Sequence, residues 1–410
     1  MAREMKNSGN IRVGLIPQSW QYSRFRYLGK LSKGQITVSN DDFEGLPIIG
    51  ASEMLGKEPR VYTHNTYAPQ CKESDILILW DGANAGIVAN RLCGVVASTA
   101  AVYRTFKDCP LDKQYLFYNF KAAEPYFKSQ STGTTIPHMN PKYLDEFYAL
   151  VPPKNEQKAI ADFLDAKCAD IDELLADLDQ EVKTLADYKK SLIAEIVTHG
   201  LNSAAPMKQS GIPWAPEIPT HWKIMANKYL MHKVKMIVPK YEGQPIISLS
   251  MNGVIVRDLD AGGKMPTSFD GYQHIKPGNL LMCLFDIDVT PRCIGLIKDN
   301  GLTSPAYSQF EMLSDAYAPY YYYFYLKMDN AKELVYLSKN MRHSLNEDQF
   351  GALPCIVPPM EEQIAIANYL NEKCKVIDET IKDKNDQIEQ LKAYKASLIY
   401  EYVTGKKQVI

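Results

Sequence analysis

The feature that most constrains this chain of 410 residues is that it repeats itself. The segment Val151–Thr198 returns without a gap as Val357–Thr404, 206 positions on, with half of the paired residues identical. A second echo opens each half. Met5-Lys6-x-Ser8-Gly9 followed by Ile16-Pro17 and Trp20 comes back 202 positions later as Met207-Lys208-x-Ser210-Gly211, Ile218-Pro219 and Trp222. The two offsets differ by four, so length has changed inside the second body and not in the repeated segments. Long exact-period repeats signal a duplicated structural unit. The predicted order is body, segment, body, segment, with domains at 1–152, 153–200, 201–357 and 358–410.

Between the repeats the bodies keep only scattered register, such as Ser98-Thr99-Ala100 with Ser304-Pro305-Ala306 and Asn140 with Asn346. Runs such as Asp75–Trp80 and Leu280–Phe285 read as buried strands bounded by polar turns. Helices are expected near Lys113–Phe127 and Ala318–Ser338, and the tyrosines Tyr320–Tyr323 in the second read as packing residues before any role in stacking on bases. Each body is therefore expected to be an α+β domain.

The repeated segments read as long helices. Pro152-Pro153 and Pro358-Pro359 cannot lie inside a helix, so each helix must begin just after them, with Asn155 as a candidate N-cap. Leu164, Ile171, Leu178, Leu185 and Leu192 recur every seven residues, and Cys168, Leu175, Val182, Lys189 and Ile196 fill the alternate seam position. The second copy repeats the tracks as Leu370, Ile377, Lys384, Leu391 and Leu398, with Cys374, Ile381, Ile388, Lys395 and Tyr402 between them. Lysine thus returns at one seam position as Lys189 and Lys395. Either these set register or recruit a partner, because burying an unpaired ammonium is costly, or they simply lie at the surface. The 43 residues from Glu156 to Thr198 would make a rod of roughly 65 Å at about 1.5 Å per residue. Repeats related by a two-fold axis would pack such rods antiparallel, seam to seam.

Composition sets the remaining limits. Hydrophobic residues make up 46% and charged residues 23% of the chain, as in folded globular proteins. No apolar run approaches the roughly 20 residues that span a bilayer, and the start has Arg3 and Lys6 with no apolar stretch behind them, so a cytoplasmic protein without a membrane partner is expected. The eight cysteines never form a Cys-x-x-Cys pair and read as reduced core thiols, not metal ligands. The total charge of −2 hides a division, since residues 1–153 carry net +3 and residues 154–200 net −5. Any nucleic-acid footprint must be local, and screening over about 8 to 10 Å lets one basic face act alone.

The doubled pattern, Met-Lys-x-Ser-Gly with Ile-Pro-x-x-Trp, a variable body, then Val-Pro-Pro-x-x-Glu-Gln-x-x-Ile and a long helix, resembles the specificity (S) subunit of Type I restriction-modification systems over nearly the whole chain. The resemblance implies two target-recognition domains of mixed sheet and helices, joined by two long antiparallel coiled-coil helices with internal pseudo-two-fold symmetry. It implies that each domain reads one half of a split, asymmetric site on double-stranded DNA. Two copies of a modification subunit would bind the helices and restriction subunits would join some assemblies. Methyl transfer from S-adenosylmethionine to adenine N6 would belong to those partners, with no cofactor held by this chain. The sequence agrees in lacking an Asn-Pro-Pro-Tyr motif, a glycine-rich cofactor loop and a Walker phosphate loop. Half-sites about one helical turn apart, roughly 34–36 Å, could be read by two domains on one rigid rod, and a base flipped for methylation would need a duplex held in distorted form.

Candidate DNA contacts fall in polar loops. In the first body these are Thr134, Thr135 and His138, within Thr132–His138, together with Asn84 in the loop Asp81–Gly86 and Lys33 near the first strand. In the second they are Arg342, His343 and Ser344, within a stretch resembling the Arg-x-Ser-Leu element of the family, and Arg292. Hydroxyls, imidazole and guanidinium suit phosphate or base-edge contact, and loops directly after buried strands are rigidly presented. Each of these stretches also reads as a solvated turn, and Lys30, Lys33, Lys233 and Lys235 as ordinary surface lysines. Asp177, Glu181 and Lys183 mimic a nuclease grouping but sit on the coiled coil, and Asp286 with Asp288 would need a third acid to hold a metal. Two rival readings stay open: an interaction scaffold whose coiled coil is the function, and an enzyme, which would require a catalytic motif that does not occur.

Overall fold

The apolar run of the first body becomes the inner strand that the rest is built around. Ile76–Leu79 is buried at every position and pairs antiparallel with Ala100–Thr105 on one side and Val88–Ala89 on the other, while Gly29–Lys33 completes the sheet beyond Ala100–Thr105. The structure is a computed structural model that describes residues 3–8, 13–40, 43–130, 137–260, 266–338 and 343–409. Contacts divide the chain into two units, Met1–Asp179 with Asp386–Ile410, and Gln180–Asn385.

The second unit repeats the sheet strand for strand. Met231–Val234, Ser308–Met312, Leu280–Met282 and Ile294–Leu296 lie in the same order with the same antiparallel pairings. A second layer recurs as well. In the first unit Leu46–Ile49 runs parallel to Gly94–Val96, which pairs antiparallel with Gln70–Cys71. In the second, Ile246 bridges Leu302 in parallel and Gly301–Thr303 pairs antiparallel with Gln273–Ile275. Sequence divergence has therefore changed the surfaces and kept the ladders.

Each sheet is covered by a helix. Lys113–Ser129 starts at Asp112, whose carboxylate accepts the backbone N–H groups of Gln114 and Tyr115. It contributes Tyr115, Phe120 and Phe127 to a core with Trp20, Phe25 and Tyr103. The second-unit helix Ala318–Asn330 buries Tyr320, Tyr321 and Tyr323 among Trp222, Phe324 and Phe350. It is shorter than the expected Ala318–Ser338: Lys332 adopts a left-handed backbone (φ 51°) and a 3-10 turn, Glu333–Leu337, follows. Lys332 is held there by bonds from Nζ to the Thr290 carbonyl (2.6 Å) and Asp329 (2.9 Å). Asn140 and Asn346, one of the few matched pairs in the bodies, both cap short helices, Pro141–Asp145 and Glu347–Gly351.

The long helices span Lys154–His199 and Met360–Val403. Asn155 is not the N-cap. The Pro153 carbonyl already accepts from Glu156 and Gln157, and Pro359 does the same for Glu362 and Gln363, so proline with its fixed φ forms the entry and Asn155 lies in the first turn. Within the first unit Asp172 pairs with Lys395 at 2.6 Å and Phe163 packs on Tyr402. Within the second, Lys189 pairs with Asp378 at 2.6 Å and Lys384 with Glu181. Numbers rise on one helix as they fall on the other, so the segments run antiparallel in each unit. Leu164, Ile171, Leu178, Leu192, Leu370, Ile377 and Leu398 are buried, and Leu185 and Leu391 pack partly buried against the same clusters. No helix is long and apolar enough to cross a membrane.

Candidate nucleic-acid interface

In each unit the loop leaving the inner strand is laced to the segment that precedes the short capping helix. In the first, Met139 N–H donates to Trp80 O (2.9 Å) and Gly82 N–H to Pro137 O (3.0 Å). In the second, Leu345 N–H donates to Leu284 O (2.8 Å) and Ile287 N–H to His343 O (3.2 Å). Two loops far apart in sequence thus present one surface, twice.

Each loop is also closed from behind by the covering helix, which sequence reasoning missed. Glu124 accepts the Val88 N–H at 2.7 Å and is paired with Lys121 at 2.6 Å. At the corresponding place Asp329 accepts the Cys293 N–H at 2.7 Å and pairs with Lys332. A buried carboxylate needs such a cation and such donors to remain charged, and both ends of the loop are thereby fixed. The helix acids are two among many acidic residues, with no spacing that marks them.

Three sequence-predicted positions converge in the first unit. Asp81 accepts from Lys33 Nζ at 3.0 Å through one oxygen, and its other oxygen lies 2.7 Å from His138 Nδ1. Burial alone would raise the Asp81 carboxyl, but the hydrogen bonds and charges of His138 and Lys33 outweigh it and hold Asp81 below its ordinary value. A carboxylate can only accept, so His138 carries its proton on Nδ1 and leaves Nε2 for another partner. The imidazole is more than half exposed and Lys33 about half, whereas Asp81 is mostly covered. Asn84 is exposed at the tip of the same loop. Thr134 and Thr135 lie outside the described residues.

The second unit brings a different set to the same place. His343 and Asp286 both take left-handed backbone conformations (φ 43° and 46°), uncommon for residues with a Cβ and frequent at functional sites. His343 Nδ1 lies 3.2 Å from the Ser338 hydroxyl. Ser344 and Arg292 are half-buried beside this surface, and Arg342 lies outside the described residues. Lys233 reaches Glu347 at 3.5 Å. Among the described residues no cluster of three or more His, Cys, Asp or Glu side chains is placed to hold a metal ion, Asp286 and Asp288 included. All eight cysteines are free thiols, seven of them at least partly buried. Burial raises Cys71 to about 11 and Cys355 to about 12, so neither is a nucleophile at neutral pH.

The repeated motifs attach each body to the long helices. Trp20 Nε1 donates to Glu156 at 3.0 Å, and Trp222 Nε1 to Glu362 at 2.9 Å. The neighbouring Gln157 accepts the Asp112 N–H and donates to the Pro152 carbonyl, as Gln363 does with Tyr317 N–H and Pro358. Tyr118 reaches Asp165 (2.6 Å) and Tyr323 reaches Asn371 (2.9 Å). Each body also grips the end of the other helix. Tyr115 Oη donates to Val403 O (3.3 Å) in the first unit and Tyr320 Oη to Val197 O (2.9 Å) in the second. Gly405 (φ 70°) packs on Trp20 and Pro17, and Gly200 (φ 79°) on Trp222.

The Type I restriction modification DNA specificity domain matches residues 17–184. The Type I restriction enzyme MjaVIII specificity subunit of Methanocaldococcus jannaschii is 26% identical, covering 96% of this chain and 94% of its own. A putative MjaX specificity subunit from the same organism is 23% identical over 98% and 97% of the two chains. Among solved structures, a chain from work on assembly and conformational transition of the type I restriction-modification system superposes with a TM-score of 0.68 at 12% identity, over 96% of this chain and 99% of that one, a likeness of fold.

Proposed function

We infer, for a chain that belongs to the family of Type I restriction-modification specificity subunits, that it is the non-catalytic subunit that selects the DNA sequence on which the complex acts. The observation that carries this reading is the doubling of one presented surface on one scaffold. Both bodies have the same ladder, the same lacing of two loops and the same clamp from the covering helix, yet the exposed side chains differ: Lys33, Asn84 and His138 in one, Arg292, His343 and Ser344 in the other. Two unlike readers on matched frames suit a split, asymmetric site.

The chain works with modification and restriction subunits. In the finer reading two modification subunits bind, one for each half-site, and S-adenosylmethionine is held by them, while this chain holds no cofactor. The long helices act as the spacer: their antiparallel pairing fixes the distance between the readers, so the tolerated gap in the DNA follows helix length. Thr134, Thr135 and Arg342 belong to the same proposed reading surface by sequence position.

The test is a mobility-shift titration of the co-expressed complex against a library of bipartite sites, followed by methylome sequencing of strains with and without the gene. A single asymmetric bipartite motif, lost with the gene, is expected. His138→Ala should relax one half of the motif only and Arg292→Ala the other. Deleting one heptad from both long helices should change the gap and leave the bases unchanged. Binding with no sequence preference at moderate salt would overturn the reading.

A further inference from the structure

The duplicated helix is a comparison of two sequences inside one chain, since both copies carry the same structural duties. In the last turns most exposed positions have diverged: Asp187 corresponds to Ala393, Lys190 to Ala396 and Ala194 to Tyr400. Three neighbours have not. Tyr188 and Tyr394, Ser191 and Ser397, Glu195 and Glu401 are identical pairs, and their spacing of three and then four residues puts each set on one stripe. Identity at Lys189, Leu192 and Val197 is explained by contacts already described, whereas the stripe has no such duty. Both tyrosines are 55% exposed, and neither hydroxyl has a hydrogen-bond partner among the described residues. Large exposed aromatics kept in duplicate on a charged helix are the residue type most enriched at binding hot spots.

A cleft adjoins the first stripe. A cavity of about 430 Å³ lies between the helix end, with Glu195, Thr198 and His199, and the hairpin carrying Trp214, Ala215 and Glu217. The indole N–H of Trp214 is buried there without an acceptor. The cation on this wall, Lys327, is already committed to Glu333 and to the Trp214 carbonyl, which leaves Glu195 and Glu217 to set the sign of the rim.

We propose that the stripes Tyr188–Ser191–Glu195 and Tyr394–Ser397–Glu401 are equivalent docking marks for one kind of cationic helical segment, carried by the modification subunit. Each tyrosine ring enters an apolar pocket of that segment and each glutamate receives a lysine or arginine beside it. On the first helix the segment continues into the cleft by Trp214. This rests on the reading that the chain works with modification subunits.

The experiment uses the full chain co-purified with the modification subunit of the same system, with copy number read by native mass spectrometry and affinity by titration. Tyr188→Ala and Tyr394→Ala should each weaken one copy by about 10- to 100-fold, leaving a complex with one modification subunit, and the double variant should leave none. Glu195→Lys should weaken one copy and steepen its loss at low salt. Because the tyrosines are exposed, each variant should keep the wild-type melting temperature and helical circular dichroism. A double variant that still binds two copies within twofold of wild type overturns the proposal. So does wild-type chain that binds none, or a tyrosine-dependent association of the chain with itself. If the complex forms and depends on the tyrosines but reads no DNA sequence, the docking stands and the DNA reading falls.

Discussion

The hydroxyl of Tyr320 makes the sharpest test of how a body grips a long helix. Val197 lies in the last turn of Lys154–His199, where carbonyls lack intrahelical partners, and its oxygen accepts from Tyr320 Oη at 2.9 Å with both residues fully buried. Tyr320→Phe keeps the ring, so no cavity opens, and strands a buried carbonyl. The cost of such a group is about 1–3 kcal/mol. At roughly 2–4 °C per kcal/mol for a unit of this size, a cost of about 2 kcal/mol lowers the melting transition by about 4–8 °C. Tyr115→Phe is the internal control: the same contact to Val403 is longer, 3.3 Å, so its loss should cost about 1 kcal/mol, at the low end of the range. Burial holds the Tyr320 hydroxyl well above its ordinary value and Tyr115 likewise raised, so both effects should be the same at pH 6 and pH 8. Differential scanning calorimetry of the full chain reads them. Tyr320→Phe melting with wild type, or Tyr115→Phe costing more, refutes the reasoning.

Three further outcomes follow from the same contacts. Lys189→Glu should destabilise by about 0.2–1 kcal/mol, as partly exposed ion pairs do, and Asp378→Lys in the same chain should restore most of it, as a double-mutant cycle in urea would show. Gly405→Ala meets both a left-handed backbone and a Cβ within 2.5 Å of the Pro17 ring; a loss of about 2–4 kcal/mol is expected from strain and overpacking, read as a fall in urea midpoint. Asp81 has a lowered folded value, so its pairing with His138 and Lys33 contributes stability above the unfolded carboxyl value of about 4 and loses it as pH falls through the lower folded value. Asp81→Asn should therefore be less stable than wild type at pH 6 and converge with it near pH 2–3, and parallel curves across that range would contradict the assignment.

What was legible in the sequence is what duplication and period make visible. The heptad tracks placed both helices to within a residue or two, because a seam of Leu, Ile and Cys has no other use at that spacing. The frame of the bodies was visible only at inner strands such as Ile76–Leu79, where burial on both faces leaves an unbroken apolar run. The break at Lys332 was not, because it depends on Asp329 and the Thr290 carbonyl, partners brought together only by folding. Nor was Asn155 correctly placed, since its N-cap propensity yields to a proline carbonyl one turn-step earlier that has already accepted the first helical bonds. On the reading surface, Lys33, Asp81 and His138 were visible singly, and their convergence was not, being a matter of loop lacing between residues 57 positions apart.

The pattern of what was kept says why the fold can change its readers. The glutamate and glutamine of each Pro-Pro-x-x-Glu-Gln motif spend all their polar atoms on the body's tryptophan, on the loop before the covering helix and on the proline carbonyl. A body is thus attached through groups that lie at its base and are satisfied whatever its loops contain. The reading loops are in turn held by one backbone N–H to a helix acid, Val88 to Glu124 or Cys293 to Asp329, and a backbone donor is indifferent to the side chains beside it. Attachment and presentation both run through atoms that the loop sequence does not alter. Side chains at Asn84, His138, Arg292 and Ser344 are therefore free to vary without disturbing either, which is the physical condition for two readers of different specificity to descend from one.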